Sequence, residues 1–416
     1  MNLITSKPVN FLLGKVQLFL FVFPFLVLIQ TVVAAPSVDA VLNAVSFALG
    51  CVSLLYLFIS DQIRISFRGF GPLFLFVAYL VLSTTWAPAG MKTISTHFTV
   101  RTLLTLVQAF VMVNVLGREG LFRSLKQVAI LVVLCNLAFM IVFPVQSSWY
   151  GEDSSRIQGM FTSPNNMGQF LAFAFIVINF VEREKLPLVA LLALDAMIVF
   201  QLFKCDSMTS LSGVILIFIC YRLRFLLKPL FFVVIAAGLI VPHLNTIFGE
   251  STASLGVNNR DLTFTGRTGV WEIMMSDLKT QDRLATGFGS GGYWMPEEGF
   301  SPYNHIHELE WWPGQGHNGY MDILVMTGVL GLCLFVFFLL RTITSLFRRV
   351  PFEEPVCYFL FLIVLINNIT EASFFREKHL YFVLLSLVYW CLFLEREEAP
   401  ALEERQSEEG LRLLHA

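Results

Sequence analysis

The last residues of a long polar segment have the types that proton transfer requires. His317 and Asn318 lie in the run Gly314–Tyr320, just before the apolar stretch 323–340. Asparagine at such a boundary is typical of a helix N-cap, and the partial positive charge at a helix N-terminus disfavours a protonated imidazole. We interpret His317 as a neutral histidine that can accept a proton as a general base. The alternative is that both residues only cap the helix.

An arginine earlier in the same segment suits phosphate binding. Arg267 lies in the run Thr-Gly-Arg-Thr-Gly-Val-Trp at 265–271. Three apolar residues follow at helical spacing and predict a short amphipathic helix along the membrane surface: Val270, Met274 and Leu278. A guanidinium is planar, always charged and able to bind two oxygens at once. The alternatives are that Arg267 pairs with Asp261 or Glu272, or binds lipid phosphate.

A second candidate anion site precedes another apolar stretch. Asn165 and Asn166 are predicted to cap the helix that follows them, and a helix N-terminus attracts anions. Arg156, a few residues earlier, would add a cation over it.

Glycines and tryptophans form a further group. The run Gly287–Trp294 is glycine-rich, but no strand and helix flank it as in a nucleotide fold, so we expect a flexible turn that closes over substrate. Six tryptophans are predicted on the outer side: Trp86, Trp149, Trp271, Trp294, Trp311 and Trp312. An aromatic belt explains some of them, and those in the loop suit stacking on sugars.

Charged residues inside or beside apolar stretches are also candidates, because charge is costly in a membrane. Asp322 is expected to face the same cavity as His317. Glu371 and Arg376 bracket a short turn and are expected to pair with each other. Asp195 has no evident partner other than Lys204, at the outer end of its span.

Membrane-spanning helices must position all of these residues. The 416-residue chain is 56% hydrophobic and 14% charged, with a mean hydropathy of +0.71, whereas soluble domains are roughly 45–50% apolar and 25% charged. We predict an all-α integral membrane protein with about twelve spans. These are 16–35, 40–60, 71–86, 97–116, 127–144, 167–181, 187–203, 209–221, 227–244, 318–340, 355–373 and 379–394.

The predicted domains follow from these spans. Residues 1–244 form spans one to nine, 245–317 one large extracytoplasmic loop with short amphipathic helices, 318–394 spans ten to twelve, and 395–416 a cytoplasmic tail. The first span resembles a signal peptide, but its apolar run is longer than usual, so we expect it to remain uncleaved.

The distribution of lysine and arginine predicts the orientation. With a cytoplasmic N-terminus, 18 of the 28 basic residues lie on cytoplasmic connections; of the other ten, four belong to the long loop, which leaves 18 against 6. Both termini are therefore expected in the cytoplasm and the loop outside, in the periplasm of a bacterium with two membranes. Outside the cytoplasm there is no ATP, so an enzyme there must use a substrate activated beforehand. Neither a nucleic-acid footprint nor a disulfide framework is present in the sequence.

Several of these motifs together resemble the O-antigen ligase and polymerase superfamily, and the stretch 255–294 is most similar to exopolysaccharide polymerases. The motifs are Arg-x-x-Gly-x-Phe-x-x-Pro-Asn at 156–165, Ser207–Ser210, Thr265–Thr268 with Trp271, Gly287–Gly289 with Trp294, and His317–Tyr320 followed by Gly328 and Gly331. The sequence departs from the family at Ser212-Gly213, where relatives often have an arginine; either Lys204 or Arg156 replaces it, or the donor site differs from that of the family. It also has Ser163-Pro164-Asn165 where the polymerase branch often has His-Lys-Asn.

The resemblance implies a metal-independent, inverting glycosyltransferase in the bacterial inner membrane that uses an undecaprenyl-diphosphate-linked glycan and needs no cofactor. The family's essential loop arginine and histidine correspond to Arg267 and His317, which we predict to be catalytic. Residues predicted to bind substrate are Arg156, Asn165, Lys204, Arg260, Trp271, Trp294 and Asn318. The expected partners are the lipid-linked donor, a glycan or lipid acceptor, membrane lipids and other polysaccharide assembly proteins. The alternatives are a ligase to lipid A core or protein, a lipid-linked sugar transporter and a non-catalytic export subunit.

Overall fold

The computed structural model describes residues 70–149, 156–243, 267–294, 313–376 and 379–394, with isolated positions between 48 and 66. Within these ranges the ordered elements are helices, and β-structure is limited to two isolated bridges, Ile65–Leu394 and Ser148–Ile157. Several predicted features lie outside the described residues: span 16–35, nearly all of span 40–60, Arg260 and Asp261, Trp311 and Trp312, and the tail 395–416.

The described ranges contain ten helices of 12 residues or more. These are α1 Phe70–Ser83, α2 Lys92–Val142, α3 Pro164–Phe180, α4 Leu188–Cys205, α5 Met208–Arg222, α6 Leu227–Ile240, α7 Arg267–Thr280, α8 Gly319–Arg349, α9 Val356–Asn367 and α10 Leu380–Phe393. A four-residue helix, Pro144–Ser147, follows α2.

The described helices are those of a multi-pass membrane protein. Four helical stretches are long and apolar enough to cross a membrane, judged by length and composition: Ala89–Val142, Leu188–Cys205, Arg224–His243 and Gly319–Arg349. Shorter apolar helices accompany them: Phe70–Trp86, Met208–Arg222, Val356–Asn367 and Leu380–Phe393. This confirms the predicted helical membrane protein, whereas the number of twelve spans stays a prediction.

A single glycine divides the longest helix. Gly117 adopts φ 64° and ψ 177°, a left-handed backbone conformation that favours glycine, inside the 51 residues of α2. Ser95, before the break, donates to the carbonyl of Ser290, whereas Lys126, after it, donates to the carbonyl of Val181. The predicted spans 97–116 and 127–144 thus belong to one helix that is interrupted only at Gly117. The polar connection expected between them is helical.

The contacts of the connecting segments define two ends of the molecule. At one end, Arg123 pairs with Glu182 at 2.8 Å and Arg118 with Glu354 at 2.9 Å. These residues belong to connections that the alternation of spans places on the inner side. At the other end, which we call the site end, described residues of the connections after α2, α4, α7 and α9 contact one another. Which end faces the cytoplasm stays a prediction.

Two buried helices support the turn at the site end. Every residue of α9 is buried, as is α10 from Tyr381 to Phe393. Between them, the Asn368 side chain accepts the backbone N–H groups of Ser373 and Phe374 and donates to the Ser373 hydroxyl. The Asn368 carbonyl also accepts the N–H of Gly319, the first residue of α8. The α9–α10 turn is therefore fixed relative to the start of α8.

Candidate active site

The segment that contains His317 is held tightly at the start of α8. Asn318 is the N-cap of this helix: its side-chain oxygen accepts the N–H groups of Tyr320 and Met321, and its amide nitrogen donates to two carbonyls, those of Gly238 and Ile369. Asn318 is fully buried. The predicted cap is thus confirmed, and the hydrogen bonds of Asn318 give it a structural role next to His317.

His317 has a strained backbone. Its φ is 48°, a left-handed conformation that costs a non-glycine residue roughly 1–2 kcal/mol. The fixed segments on both sides impose this conformation, because Asn318 caps α8 and the carbonyl of Gly316 accepts the indole N–H of Trp271 at 2.6 Å. Strain of this kind persists where the surrounding structure over-determines it and is found at functional sites.

Glu371 brings the two predicted catalytic residues together. Its Oε1 lies 3.1 Å from a guanidinium nitrogen of Arg267, and its Oε2 lies 3.3 Å from Nδ1 of His317. The side chains are largely buried, with exposed fractions of 16% for Arg267, 16% for His317 and 10% for Glu371. Arg267 also donates to the carbonyl of Thr370. One carboxylate therefore joins the arginine of α7 to the histidine before α8.

The surroundings keep Glu371 ionised. Burial alone would raise the pKa of its carboxyl, but the hydrogen bond with His317 and the positive charge of Arg267 outweigh burial and lower the pKa to about 2. At neutral pH Glu371 is therefore a carboxylate that accepts hydrogen bonds from both sides.

Arg156 and Asn165 extend this network. The amide nitrogen of Asn165 donates to Oε1 of Glu371 at 2.8 Å, and its amide oxygen accepts from Arg156 at 2.8 Å. Arg156 also donates to the carbonyls of Cys205, at 3.1 Å, and Asp206, at 3.4 Å, just before α5. Arg156 thus lies beside the start of α5.

The cap of α3 differs from the prediction. Ser163, rather than Asn165 or Asn166, is the N-cap, and its hydroxyl accepts the N–H of Asn166 at 3.2 Å. Pro164 follows in the first turn, where proline is favoured because it has no N–H to satisfy. Asn165 lies inside the first turn, and its side chain reaches Arg156 and Glu371.

Two residues not predicted for the site complete the network. The side-chain nitrogen of Gln315 lies 3.2 Å from Oε2 of Glu371 and 3.3 Å from Nδ1 of His317. Arg376 donates to the side-chain oxygen of Gln315 and, at 3.1 Å, to the carbonyl of Gly314. Glu371 and Arg376 therefore do not pair with each other as expected. Glu371 contacts Gln315 and His317, and Arg376 contacts Gln315 and Gly314.

The remaining predicted residues have different surroundings. Trp271 is 1% exposed, so its ring is packed inside the protein. Trp294 is partly buried and donates from its indole nitrogen to Asp322 at 3.1 Å, and Asp322 also accepts the N–H of Gly316 at 2.8 Å. Lys204 is exposed and its ammonium lies over the ring of Phe200, 5.8 Å from the centroid.

The apolar face predicted for the helix after Arg267 is present but is not at the surface. Val270, Met274 and Leu278 of α7 are 2%, 0% and 0% exposed. They face the protein core, and α7 contacts α8. Burial of this face fixes α7, and with it Arg267, against α8, which begins two residues after His317.

The glycine-rich run is packed rather than loose. Phe288, Ser290 and Tyr293 are fully buried. The N–H of Phe288 donates to the carbonyl of Val325, and the N–H of Val329 donates to the carbonyl of Leu284, on either side of a break in α8 at Gly328. The expectation of a flexible turn is therefore wrong, because this segment fills the break in α8.

Asp195 also has a partner. Its carboxylate accepts from the amide nitrogen of Asn179 on α3 at 2.7 Å. This contact joins α3 to α4 away from Glu371.

Comparison with known proteins gives a distant relative. No protein-family model matches the sequence. Among curated proteins, the chain is similar to one described as "Exopolysaccharide production protein ExoQ" from Rhizobium meliloti (strain 1021), with 23% identity over 301 residues. The match covers 68% of this chain and 66% of ExoQ, which is slightly under two thirds of that relative's length. This likeness is consistent with the resemblance of the motifs between Arg156 and Gly331 to the O-antigen ligase and polymerase superfamily.

Proposed function

We propose that this protein is a membrane glycosyltransferase of the O-antigen ligase and polymerase type, which extends an exopolysaccharide from an undecaprenyl-diphosphate-linked oligosaccharide. The observation that carries the proposal is the meeting of Arg267 and His317 at one buried carboxylate, Glu371. A cation for a phosphate and a base for a hydroxyl are the two groups that such a transfer needs. The likeness to an exopolysaccharide production protein supports the choice of polymer.

The charge of the site suits an anionic leaving group. Two guanidinium groups, those of Arg156 and Arg267, belong to the hydrogen-bonded network around Glu371. Preorganised cations stabilise the charge that develops on a departing diphosphate, so arginine can supply this stabilisation without a metal ion.

The proposed reaction is a single displacement. The hydroxyl oxygen of the acceptor sugar attacks the anomeric carbon of the donor, and its proton passes to His317. The bond between the anomeric carbon and the phosphate oxygen breaks, its electron pair stays on the diphosphate, and the configuration at carbon inverts. The carboxylate of Glu371 stabilises the imidazolium that forms, as the acidic member of a catalytic triad does.

The proposed location follows from the donor. A lipid-linked sugar carries its own activation and can therefore react outside the cytoplasm, where there is no ATP. We place the site end in the periplasm and both termini in the cytoplasm. Lys204 and Trp294 would contact the lipid-linked glycan near the membrane surface, where ammonium groups and indole rings are favoured. The partners are this donor, the growing glycan that accepts it, membrane lipids and further polysaccharide assembly proteins.

The test is a reaction with purified components. Protein in lipid nanodiscs is given an undecaprenyl-diphosphate-linked oligosaccharide with EDTA and without nucleotide, and the products are separated by size and identified by mass spectrometry. Longer glycans and free undecaprenyl diphosphate are expected. Movement of intact donor across vesicles without a new glycosidic bond would instead show a transporter.

The same assay identifies the acceptor. Parallel reactions contain a second lipid-linked repeat, lipid A core or an acceptor protein. Product only with the lipid-linked repeat supports a polymerase, whereas transfer to lipid A core or to protein would show a ligase.

A further inference from the structure

Three polar atoms beside the proposed base form a triangle. Nδ1 of His317, Oε2 of Glu371 and the side-chain nitrogen of Gln315 lie 3.2–3.3 Å from one another. Outside the triangle, Arg376 donates to the side-chain oxygen of Gln315. Nδ1 can therefore donate to the carboxylate or accept from the amide, and the choice decides which ring nitrogen of His317 carries the proton.

From this geometry we infer that Gln315, held by Arg376, is a positioning residue that keeps Oε2 of Glu371 against Nδ1 of His317, so that Nδ1 carries the proton and Nε2 is the base. This inference rests on the proposed function. It assigns a role to Gln315 and Arg376, which act through Glu371 and His317 and not directly on the substrate.

Arg376 determines which way the amide of Gln315 points. A guanidinium has only hydrogen-bond donors, so the amide atom facing Arg376 is the oxygen, and the NH₂ group faces the triangle. A second contact, from Arg376 to the carbonyl of Gly314 at 3.1 Å, holds the guanidinium in place. If the amide were reversed, its oxygen would face Oε2 and repel the carboxylate away from His317.

With the amide fixed, the carboxylate is held at both oxygens. Asn165 and Arg267 donate to Oε1, at 2.8 Å and 3.1 Å, while Gln315 donates to Oε2 at 3.2 Å. Nδ1 of His317 then has an ionised acceptor, and hydrogen bonds to charged acceptors are roughly twice as strong as those between neutral groups. The bond from Nδ1–H to Glu371 therefore prevails over acceptance from the amide of Gln315, and the lone pair remains on Nε2.

Three other titratable groups lie near the triangle, and none of them orients the amide of Gln315. Arg267 acts on Glu371 from α7, and Asp322 faces His317 from α8. His379, at the start of α10, also acts on Glu371, but burial and the charge of Arg376 lower its pKa to about 4, so it is neutral at pH 7. None of these groups contacts the amide of Gln315 among the described hydrogen bonds, so its orientation depends on Arg376.

The first test reads the proton on His317 without turnover. ¹⁵N NMR of histidine-labelled protein, with His317→Ala used for assignment among the seven histidines, distinguishes a protonated Nδ1 from a protonated Nε2. We expect protonated Nδ1 in the wild type and a mixture of tautomers in both Gln315→Met and Arg376→Met. Protonated Nε2 in the wild type, or an unchanged signal in both variants, would overturn the inference.

The second test uses kinetics with a lipid-linked donor. Loss of a general base costs roughly 10²–10⁴ in rate, and we expect Gln315→Met and Arg376→Met each to lower kcat by about 10-fold, because the base remains but is misdirected. The KM for the donor should not change. The double variant should be no worse than the more affected single variant, since the two residues act through one chain. Gln281→Met, at an exposed position after α7, is the control.

A third variant tests the direction in which the kcat–pH profile moves. Gln315→Glu places a second carboxylate beside His317, which stabilises imidazolium and moves the acidic limb of the kcat–pH profile to higher pH. Additive losses in the double variant, a raised donor KM in Arg376→Met, or an unmoved pH profile in Gln315→Glu would contradict the positioning role. If these results occur while wild-type protein is active and His317→Ala is inactive, the proposed function stands and only this inference fails.

Discussion

Glu371→Gln is the substitution that separates the charge of the carboxylate from its shape. Glutamine has nearly the same volume, so Asn165 and Arg267 keep an oxygen to bind, but the negative charge is lost. An amide can also present its NH₂ group to Nδ1 of His317, which would place the ring proton on Nε2. We therefore expect the variant to fold and to lose most of its activity.

The expected size of the effect comes from two observations. The pKa of Glu371 is about 2 instead of 4.5, so its surroundings favour the ionised form by about 3 kcal/mol. For catalysis, a general base contributes roughly 10²–10⁴ in rate, and the 3.3 Å contact between Glu371 and His317 is at the long end for a hydrogen bond. We expect kcat to fall about 10²-fold, with a smaller change in the donor KM.

The assay compares initial rates of glycan elongation in nanodiscs at saturating lipid-linked donor. The matched control is Glu354→Gln, since Glu354 also pairs with an arginine, Arg118 at 2.9 Å, but at the opposite end of the molecule and with a side chain 58% exposed. Exposed pairs of this kind contribute roughly 0–1 kcal/mol, so the control should retain its activity. A kcat for Glu371→Gln within twofold of the wild type would refute the reasoning.

Three further outcomes follow from described contacts. Because the folded pKa of Glu371 lies below its unfolded value, its stabilisation is present above about pH 4.5 and is lost as pH falls towards 2. Across that range, the free energy of unfolding of wild type should fall by about 3 kcal/mol more than that of Glu371→Gln, measured by thermal or denaturant unfolding. Parallel curves for the two proteins would contradict this. Gly328→Ala should sharply reduce folded protein, because Gly328 has φ +66° and an added Cβ would lie 2.3 Å from the backbone of Ala285, whereas Gly71→Ala, with nothing within 4 Å, should behave as wild type; equal yields from membranes would show that the break in α8 is not needed. Trp271→Phe should lower the free energy of unfolding by about 1 kcal/mol through the lost hydrogen bond to Gly316 and leave the acceptor KM unchanged; a raised acceptor KM at unchanged stability would instead show that Trp271 binds sugar.

Local signals in the sequence predicted the boundaries of the site well. Asn318 caps α8 as its residue type and its place before an apolar run indicate. The spacing of Val270, Met274 and Leu278 correctly indicates a helix with one apolar face, although this face packs in the protein core rather than along the membrane surface. These features depend on residues close together in the chain, and such features can be read from sequence.

The centre of the site could not be predicted in the same way. Glu371 is 206 residues from Asn165, 104 from Arg267 and 54 from His317 along the chain. These pairings depend on how α3, α7, α8 and α9 pack, and a charged residue beside a span has several possible partners until that packing is known. The expected pairing of Glu371 with its sequence neighbour Arg376 was wrong for this reason.

Backbone features that depend on glycine were misjudged for a different reason. The run from Gly287 has the composition of a flexible turn, but its backbone fills the break at Gly328, where a side chain would not fit. Gly117 likewise breaks α2 without the polar loop that the charges after it suggest. Glycine permits both a loose turn and a close backbone contact, and the sequence does not distinguish the two.

The most direct measurement of the central claim is product formation by two variants, His317→Ala and Arg267→Ala, at matched amounts of membrane-embedded protein. If a base and a phosphate-binding cation joined by Glu371 carry the reaction, each variant forms no elongated or ligated glycan while its level in the membrane equals that of wild type. Near-wild-type product from both variants would contradict the proposed mechanism.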